Sequence, residues 1–344
     1  MTGTPFAELP RPQGTDSLPL PHTDMSMLDL DRVARHIEQA SKLGRYTGPD
    51  DPFTYLRNTK CLAEVDGQHY ATLAGLLCFG HNPQALMPHT VVDLGHYRGV
   101  EQISFEVAHL EKNISGTLFD QMVRIENYLW LNIHHGMTIV QGSFKRVDMH
   151  EYPQIVIREL CANMLVHRDY YYASAHCRVM LFKDRIEWVS PGGLPPGLTV
   201  ENILNEQAAR NPVVLTIFYE AGYVEAFGQG LDTVVAVLKA EHMAPPLFQD
   251  TGQSFIVSVY GRTPDATTSD GAILQLNESQ RKILTLVRQK GEVGSKDVYE
   301  HCSSRPRRSL QRDIAGLIDA GLIEVIGNTR AARYRPGAGE REQI

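Results

Sequence analysis

Long apolar runs and paired cysteines are both missing from this chain of 344 residues. The longest strongly apolar run, Ala71 to Phe79, is far shorter than the roughly 20 residues that a helix needs to cross a bilayer, so we expect no membrane span. The start of the chain, Met1 to Asp31, lacks a basic stretch followed by an apolar core, which argues against a secretion signal. The five cysteines are scattered without a CxxC pair, which favours reduced thiols over disulfides or a cysteine zinc site. We therefore expect a cytoplasmic protein.

Two signatures of ATP-using enzymes are also missing. No GxxxxGKS/T phosphate-binding loop occurs, and the nearest stretch, residues 291–296, has the wrong spacing, which excludes a helicase motor of the P-loop type. His167-Arg168-Asp169 is similar to the catalytic loop of protein kinases, but Ser174 stands where that loop needs Asn. Since neither a DFG motif nor a GxGxxG loop is present, a protein kinase is excluded as well.

Charge is distributed unevenly along the chain. Residues 277–336 contain 12 Lys or Arg against 7 Asp or Glu, a net charge of +5. The last eight residues carry −1, and since the whole chain carries −7, the first 276 residues carry −11. An acidic N-terminal part joined to a basic C-terminal module suggests that only the module meets a polyanion, although an ordinary solvated surface has the same composition.

The distribution of turn-forming residues divides the chain. Residues 1–27 hold five prolines and little periodic hydrophobicity, and residues 262–276 are rich in Thr, Asp, Pro and Gly. We expect a flexible Pro-rich arm at 1–27, an N-terminal α/β region at 28–110, a second domain at 111–261, a linker at 262–276, a C-terminal module at 277–336 and a flexible tail at 337–344.

Between the arm and the linker, helical and strand-like patterns alternate irregularly, so the fold class we expect is α+β rather than a doubly wound parallel sheet. Helical spacing predicts helices over 28–44, 117–133, 153–167, 213–221 and 228–242. Strands are expected over 91–97, 137–147, 177–182, 185–189 and 255–260, and residues 70–80 fit either a helix or a buried strand.

The C-terminal module shows the pattern of three short helices followed by a β-hairpin. This is the layout of a winged helix-turn-helix, whose third helix meets base edges and phosphates while the wing lies near the backbone or the minor groove. A winged helix used for protein contacts or dimerisation is the alternative. The candidate DNA-binding residues are Arg307, Arg308, Ser309, Gln311 and Arg312 on the third helix, and Arg330 and Arg333 on the wing.

The predicted helix 153–167 carries a polar triplet on a single face. Glu159, Asn163 and His167 are spaced four apart, so their side chains stack along the helix. A carboxylate and a carboxamide one turn apart can serve one metal–phosphate site, in which Asn holds Mg²⁺ and Glu orients a water. The triplet alone also fits an amphipathic helix whose polar face meets solvent.

Three glycine clusters follow this helix in the sequence. Ser190-Pro191-Gly192-Gly193 comes after two strand-like runs, Gly228-Gln229-Gly230 precedes a helix, and Gly252-Gln253-Ser254 leads into the last strand. Glycine permits close backbone approach, and the free N–H groups at the start of a helix face an anion. Each cluster alone is a weak signal, and their order carries the information.

The order of these blocks resembles the GHKL (Bergerat-fold) ATPases, the superfamily of gyrase, histidine kinases and MutL. Glu159 and Asn163 match the N-box of that superfamily, and the later glycine clusters match its glycine boxes. Over roughly residues 28–336 the chain more closely resembles a bacterial and archaeal family of transcriptional regulators, in which a GHKL-like domain labelled "RecG C-terminal" follows a Schlafen/AlbA-type domain and precedes a winged helix. The blocks that carry this resemblance are Leu73 to Gly80, Arg158-Glu159-Leu160, Val166-His167-Arg168-Asp169-Tyr170, Ser190 to Leu194, Arg210-Asn211-Pro212 and Phe227-Gly228-Gln229-Gly230.

The resemblance implies a GHKL-like body that binds ATP and Mg²⁺, with a remnant of the Schlafen/AlbA-type region before it and a winged helix after it. It assigns Asn163 to Mg²⁺, Glu159 to activation of the attacking water, and Gly228 and Gly230 to the phosphates. Arg210 is expected to reach the terminal phosphate. Nucleotide contacts are also expected at Ser190, Gly192 and Gly193, while His167 and Asp169 hold the end of the helix and its loop.

The sequence departs from these families at two points. The Schlafen/AlbA-type start is missing or reduced to the Pro-rich arm. Ser190 stands where GHKL ATPases have an Asp that contacts the adenine amino group, and a neutral hydroxyl is expected to lower both affinity and discrimination there.

Three functions are compatible with the sequence. The first is a homodimeric transcriptional regulator that binds double-stranded DNA and is modulated by a nucleotide. The second is a DNA-stimulated ATPase in DNA repair or defence. The third is a degenerate body that binds no nucleotide and acts as a dimerising scaffold for the winged helix.

Overall fold

The computed structural model describes residues 14–139, 146–206, 208–225, 230–262, 278–302, 307–319, 322–326 and 333–337. The chain divides into two compact units, residues 1–261 and 262–344. We call the first the body and the second the C-terminal unit. Within the described part of the chain, no helix is long and apolar enough to cross a membrane.

The body combines seven described helices with ten strands. The helices are α1 (Leu30–Lys42), α2 (Pro52–Asn58), α3 (Leu73–Phe79), α4 (Leu118–Asn132), α5 (Gln154–Val166), α6 (Pro212–Glu220) and α7 (Gly230–Ala240). The strands are β1 (Leu62–Val65), β2 (Gln68–Ala71), β3 (Val92–Tyr97), β4 (Val107–Ile114), β5 (His135–Ile139), β6 (Arg146–His150), β7 (Cys177–Leu181), β8 (Arg185–Pro191), β9 (Leu247–Asp250) and β10 (Ser254–Tyr260).

A six-stranded mixed sheet forms the centre of the body, in the order β4-β3-β7-β8-β10-β9. All neighbouring strands are antiparallel except β3 and β7, which are parallel. Leu94, Val179, Trp188 and Val257 lie side by side in register across four of these strands, and all four belong to the main apolar core. This row of apolar side chains defines the face of the sheet that carries the helices.

Helix α5 is the central helix of the body. It packs against α4, α7 and strand β8, and the Trp188 indole N–H of β8 donates a hydrogen bond to the Cys161 sulfur at 3.2 Å. Pro153 precedes the first turn, where a missing N–H is tolerated. The helix is buried on most sides, so its few polar side chains, Glu159 and Asn163 among them, must find partners inside the body.

Arg168 is fully buried directly after α5. Its guanidinium donates to the backbone carbonyls of His89, Val91 and Ala175, at 2.5, 3.1 and 3.0 Å. These bonds join the segment before β3 to the segment before β7, and β3 and β7 are the parallel pair of the sheet. Arg168 therefore fixes the crossover between these strands.

Several expected elements are present, and others differ. The expected helices at 117–133, 153–167 and 213–221 and the strands at 91–97, 177–182, 185–189 and 255–260 are observed with bounds shifted by a few residues. Residues 70–80 contain the end of a strand and a helix, and the single strand expected at 137–147 is wrong, because β5 and β6 pair as a hairpin. Strands β4 and β9 lie at the two edges of the sheet and were not predicted.

Two structural observations bear on the expected division of residues 1–261. The border between residues 110 and 111 falls inside β4, which pairs with β3 in the central sheet, so the N-terminal region and the following domain share one sheet. Residues 14–27 of the expected flexible arm pack on the body, with Asp16 fully buried, because side-chain and backbone hydrogen bonds hold them there. Residues 1–13 and most of the expected linker lie outside the described residues.

The C-terminal unit contains three helices and a three-stranded sheet among its described residues. These are α8 (Glu278–Lys290), β11 (Val293–Gly294), α9 (Ser295–His301), α10 (Arg307–Asp319), β12 (Ile323–Ile326) and β13 (Arg333–Pro336), with the sheet in the order β11-β13-β12. Ile283, Val298, Leu310 and Leu317 belong to an apolar core separate from that of the body.

We expect the substitution Arg168→Met to lower the free energy of unfolding of the body by roughly 3 kcal/mol, since it leaves three buried carbonyls without their donor. Both tryptophans, Trp130 and Trp188, lie in the body, so urea unfolding followed by tryptophan fluorescence reports this unit alone. The control is Arg178→Met, at an exposed position on β7, with an expected change within about 0.5 kcal/mol. Equal effects of the two substitutions would contradict the role given to Arg168.

Candidate functional site

A cavity of about 410 Å³ opens beside α5, β8 and the start of α7. It brings together every candidate nucleotide-site residue that the structure describes, although these residues are up to 71 positions apart in the sequence. They are Glu159, Asn163, Ser190, Gly192, Gly193, Arg210 and Gly230. Gly228 lies outside the described residues.

Helix α5 supplies one wall of the cavity. Glu159 and Asn163 are one turn apart, and the Asn163 amide nitrogen donates to Glu159 Oε1 at 3.4 Å. Glu159 is only 4% exposed. The remaining oxygen of the Asn163 amide and the Glu159 carboxylate are the kind of ligands that Mg²⁺ prefers.

Burial raises the pKa of Glu159 to about 7, and the charge of Glu225 adds to the shift. The hydrogen bond from Asn163 and the charge of Arg158 oppose it. Glu159 therefore exchanges a proton near neutral pH, which suits a group that takes a proton from water or returns one.

The start of α7 closes the cavity opposite Glu159. A Cβ atom on Gly230 would lie 2.0 Å from Glu159 Oε1 and 3.1 Å from the Asn163 amide nitrogen, so a larger residue here would displace the Glu159 carboxylate. The first N–H groups of α7 have no partners within the helix, and a helix N-terminus favours negative charge. Glu159 thus lies beside the helix N-terminus that would also attract the negative charge of a phosphate.

Ser190 lies at the end of β8, buried, and its hydroxyl donates to the carbonyl of Met164 at 2.8 Å. Because the hydroxyl proton is used in this bond, the Ser190 oxygen can only accept a hydrogen bond from a ligand N–H. Met164, Leu160, Trp188 and Phe255 surround it in the cavity and offer apolar contacts to a flat ring.

Gly192 and Gly193 form a tightly packed part of the rim. Gly192 has φ of +93°, and a Cβ there would lie 2.6 Å from the Arg210 guanidinium and 2.7 Å from Asp169. A Cβ on Gly193 would lie 2.8 Å from the carbonyl oxygen of Gly252. Both glycines are therefore required by contacts within the protein itself.

Arg210 lines the cavity, and its expected contact with a terminal phosphate stays a prediction. Its two terminal nitrogens donate to the carbonyls of His167 and Gly193, at 2.9 and 2.5 Å, so the guanidinium joins the two walls of the cavity. Burial lowers the pKa of Arg210, and this cost is offset by the bonds to carbonyl oxygens.

The neighbouring Asn211 was not predicted as a site residue. It is buried, and its amide donates to the carbonyls of Val166 and Arg168, each at 2.8 Å. The sequence signal that could have found it is an Asn directly before Pro212 at the start of a helix, although this pattern does not identify the distant partner.

The end of α5 is capped mainly by side chains, in addition to the backbone bond from the His167 N–H to the carbonyl of Asn163. Five consecutive carbonyl groups, those of residues 164–168, accept hydrogen bonds from the side chains of Ser190, Tyr170, Asn211 and Arg210. A helix leaves its last carbonyls without partners inside the helix, and inside a core these must be satisfied. This requirement draws the first glycine cluster, Ser190 to Gly193, and the start of α6 against α5.

Asp169 holds the loop after α5. Its N–H donates to the carbonyl of Pro191 at 2.8 Å, and its side chain accepts from the Tyr171 N–H. Burial, and then the charge of Arg210, lower the pKa of His167 to about 4, so the His167 ring is neutral near pH 7. The loop-holding role expected of His167 stays a prediction.

The charges that line the cavity among the described residues are mainly negative. Glu159, Glu206 and Glu225 contribute carboxylates, while Arg210 is engaged with backbone carbonyls. No group of three or more His, Cys, Asp or Glu residues able to hold a metal ion occurs in the described part of the chain. A phosphate-bearing ligand would therefore need a cation to accompany it.

The candidate DNA-binding residues lie in the C-terminal unit. Arg307, Gln311 and Arg312 are exposed on α10, and the Arg307 guanidinium lies over the Tyr299 ring at 5.5 Å. Ser309 is partly exposed on the same helix. Arg308 lies on α10 and Arg333 is exposed on β13, where it pairs with Glu292 at 3.1 Å, whereas Arg330 lies outside the described residues.

Comparison with known proteins supports an ATPase-type domain in the body. The family described as "Putative ATP-dependent DNA helicase recG C-terminal" matches residues 174–259, from the end of the loop after α5 to β10. The matched region contains Ser190, Gly192, Gly193, Arg210 and Gly230, and α5 lies before it. No curated protein sequence matches the chain.

A solved structure shares the fold. The DIP2311 protein from Corynebacterium diphtheriae is similar with a TM-score of 0.59 and 18% identity, over 95% of this chain and 65% of that chain. The chain thus spans less than two thirds of the length of that protein. At this identity the similarity shows the fold alone.

The raised pKa of Glu159 predicts a pH dependence of stability. The folded body favours the protonated form, so the wild type loses stability relative to Glu159→Gln as the pH rises from the ordinary pKa of 4.5 to about 7. Above pH 7 the full difference is about 3 kcal/mol, and below pH 4.5 it vanishes. Urea unfolding at several pH values, with exposed Glu101→Gln as the control, measures it. A difference that does not vary with pH would contradict the account.

Proposed function

We propose that the body binds ATP together with Mg²⁺ in this cavity, and that the C-terminal unit is a winged helix that binds double-stranded DNA. The protein would then be a DNA-binding transcriptional regulator modulated by a nucleotide. The observation that carries the proposal is the convergence of Glu159, Asn163 and Gly230 at one end of the cavity with Ser190 at an apolar part of it.

Each group in the cavity has a chemical role under this proposal. Asn163 would hold Mg²⁺, Glu159 would orient the attacking water, and the N–H groups at the start of α7 would bind phosphate. Mg²⁺ supplies neutralisation of the phosphate charge, which the carboxylates of the cavity would otherwise repel. Ser190 would accept a hydrogen bond from an amino group of the base, and Met164 and Phe255 would contact its ring.

Three features support DNA binding by the C-terminal unit. The order of elements, α8, β11, α9, α10, β12 and β13, is that of a winged helix, with α10 in the place of the recognition helix. Residues 277–336 carry a net charge of +5. Arg307, Gln311 and Arg312 are exposed on α10, where they can contact phosphates and base edges.

Two further parts of the proposal rest on general arguments. A homodimer would give a single winged helix enough affinity for a two-fold operator. Location in the cytoplasm is supported by the five cysteines, which are all buried and unpaired, as expected in a reducing compartment.

The second candidate function is a DNA-stimulated ATPase in DNA repair or defence. The observation that favours it is the buried Glu159 carboxylate in the cavity beside Asn163, where burial raises its pKa to about 7, as suits a base that activates water. ATP turnover that DNA stimulates and Glu159→Gln abolishes would select this function over regulation by binding alone.

We expect Asn163→Ala to weaken the binding of Mg²⁺-ATP by about tenfold or more, because it removes a ligand of the cation and the partner of Glu159. Titration calorimetry of the full chain measures the affinity. The control is Asn132→Ala at the exposed end of α4, for which we expect wild-type affinity. Absence of binding by the wild type at millimolar ATP would leave the body as a scaffold.

We expect Arg312→Ala to weaken binding to duplex DNA and to lower the slope of log affinity against log salt by about one, as loss of a single phosphate contact does. Lys290→Ala, an exposed cation on α8, is the control. Affinity measured at several salt concentrations, with and without saturating Mg²⁺-ATP, also tests modulation. Equal slopes for all proteins would refute α10 as the DNA-contacting helix.

A further inference from the structure

The segment before the first long helix makes a polar contact that no sequence pattern indicated. Asp16 is completely buried, and its Oδ2 accepts hydrogen bonds from the backbone N–H groups of Val213 and Val214, at 2.8 and 3.0 Å. These are N–H groups of the first turn of α6, which its own helix leaves without partners. Asp16 therefore serves as an N-terminal cap of α6 from a position 197 residues away.

Burial of a carboxylate is costly, and here it raises the pKa of Asp16 while the two N–H bonds lower it. Oδ1 has no hydrogen-bond partner among the described residues. Desolvation of the carboxylate therefore opposes the contact, whereas the two hydrogen bonds and the helix dipole stabilise it.

Two weaker contacts place the same segment on the cavity rim. The Gly14 N–H points to the carbonyl of Arg210 at 3.4 Å, and the Tyr171 hydroxyl points to the carbonyl of Thr15 at 3.5 Å. Tyr171 belongs to the loop after α5, and Arg210 lines the cavity. The segment thus contacts both the loop after α5, through Tyr171, and the residues just before α6, through Arg210.

The start of α6 is the part of the body on which the cavity walls depend. Directly before it, Arg210 holds the carbonyls of His167 and Gly193, and Asn211 holds those of Val166 and Arg168. The carbonyls of Val166, His167 and Arg168 lie at the end of α5, the helix that carries Glu159 and Asn163. The carbonyl of Gly193 belongs to the glycine rim. A shift of the first turn of α6 would move both donors away from these carbonyls.

We propose that Asp16 is a positioning residue for the cavity, which acts through the first turn of α6 to hold Arg210 and Asn211 on the end of α5 and on the glycine rim. This inference rests on the proposed function only where it concerns nucleotide binding. The positioning itself is a property of the body and has its own readout.

The test compares Asp16→Ala and Asp16→Asn with Asp24→Ala, all in the full chain. Asp24 lies in the same segment but is exposed, and its side chain accepts hydrogen bonds from Ser26, so it is a matched control. Amide hydrogen exchange is measured at Asp169 and Gly192, whose N–H groups bond to the carbonyls of Pro191 and Gln253 and do not contact Asp16. The affinity for Mg²⁺-ATP is measured in parallel.

We expect Asp16→Ala to speed exchange at Asp169 and Gly192 by about tenfold and to weaken nucleotide binding by about tenfold, roughly what loss of two hydrogen bonds allows. Asp16→Asn keeps an oxygen for both N–H groups but loses the charge, so intermediate values are expected. Asp24→Ala should match the wild type in both measurements.

A lower melting temperature of Asp16→Ala with unchanged exchange at Asp169 and Gly192 would overturn the proposal, since Asp16 would then stabilise the fold without positioning the rim. If Asp16→Ala does not fold, Asp16→Asn decides: wild-type exchange and affinity overturn the proposal, and intermediate values support it. If the wild type binds no nucleotide, the proposed function fails, and the exchange rates alone decide the role of Asp16.

Discussion

The end of helix α5 imposes the constraint on which the site depends. Its last carbonyl groups and those just beyond it are buried, and each must accept a hydrogen bond. The side chains that meet this need are Ser190, Tyr170, Arg210 and Asn211, from three separate parts of the sequence. Satisfying the helix end therefore assembles the cavity, because the same residues bring β8, the glycine rim and the start of α6 against Glu159 and Asn163.

This constraint gives the sequence blocks a physical meaning. The sequence blocks on which the resemblance rests include Arg168, Ser190 and Arg210. In this structure their side chains donate hydrogen bonds to backbone carbonyls inside the body. Glu159 and Asn163, which do not hold this backbone, face the cavity together with the start of α7. The match to an ATPase-type family over residues 174–259 covers Ser190, Arg210 and Asn211, whereas Arg168 and Tyr170 lie before it, as do Glu159 and Asn163 on α5.

Much of the fold follows from local patterns in the sequence. The 3.6-residue periodicity gave α4 and α5, and short apolar runs gave β3, β7, β8 and β10. The edge strands β4 and β9 were not predicted because their exposed side chains weaken the apolar pattern. The antiparallel pair of β5 and β6 was not predicted because the pattern over residues 137–147 was interpreted as one strand.

The candidate site was predictable only in part. Glu159 and Asn163 share a helix, so their spacing alone placed them together. The partners of Arg210, Asn211 and Asp16 depend on contacts over 17 to 198 positions, and no periodicity encodes which carbonyl or N–H group each side chain reaches. Arg210 was therefore expected on a phosphate, and Asp16 was expected to lie in a flexible arm. In both cases a buried backbone group determined the position of the side chain.

The central claim is that the cavity built on the end of α5 is the nucleotide site. Hydrogen exchange of the full chain with and without Mg²⁺-ATP tests it most directly, because it locates binding within the body. The account predicts slower exchange at the first turn of α7 and at residues 190–194, with the C-terminal unit unaffected in the absence of DNA. Binding of ATP with protection elsewhere, or no change at either cavity segment, would contradict it.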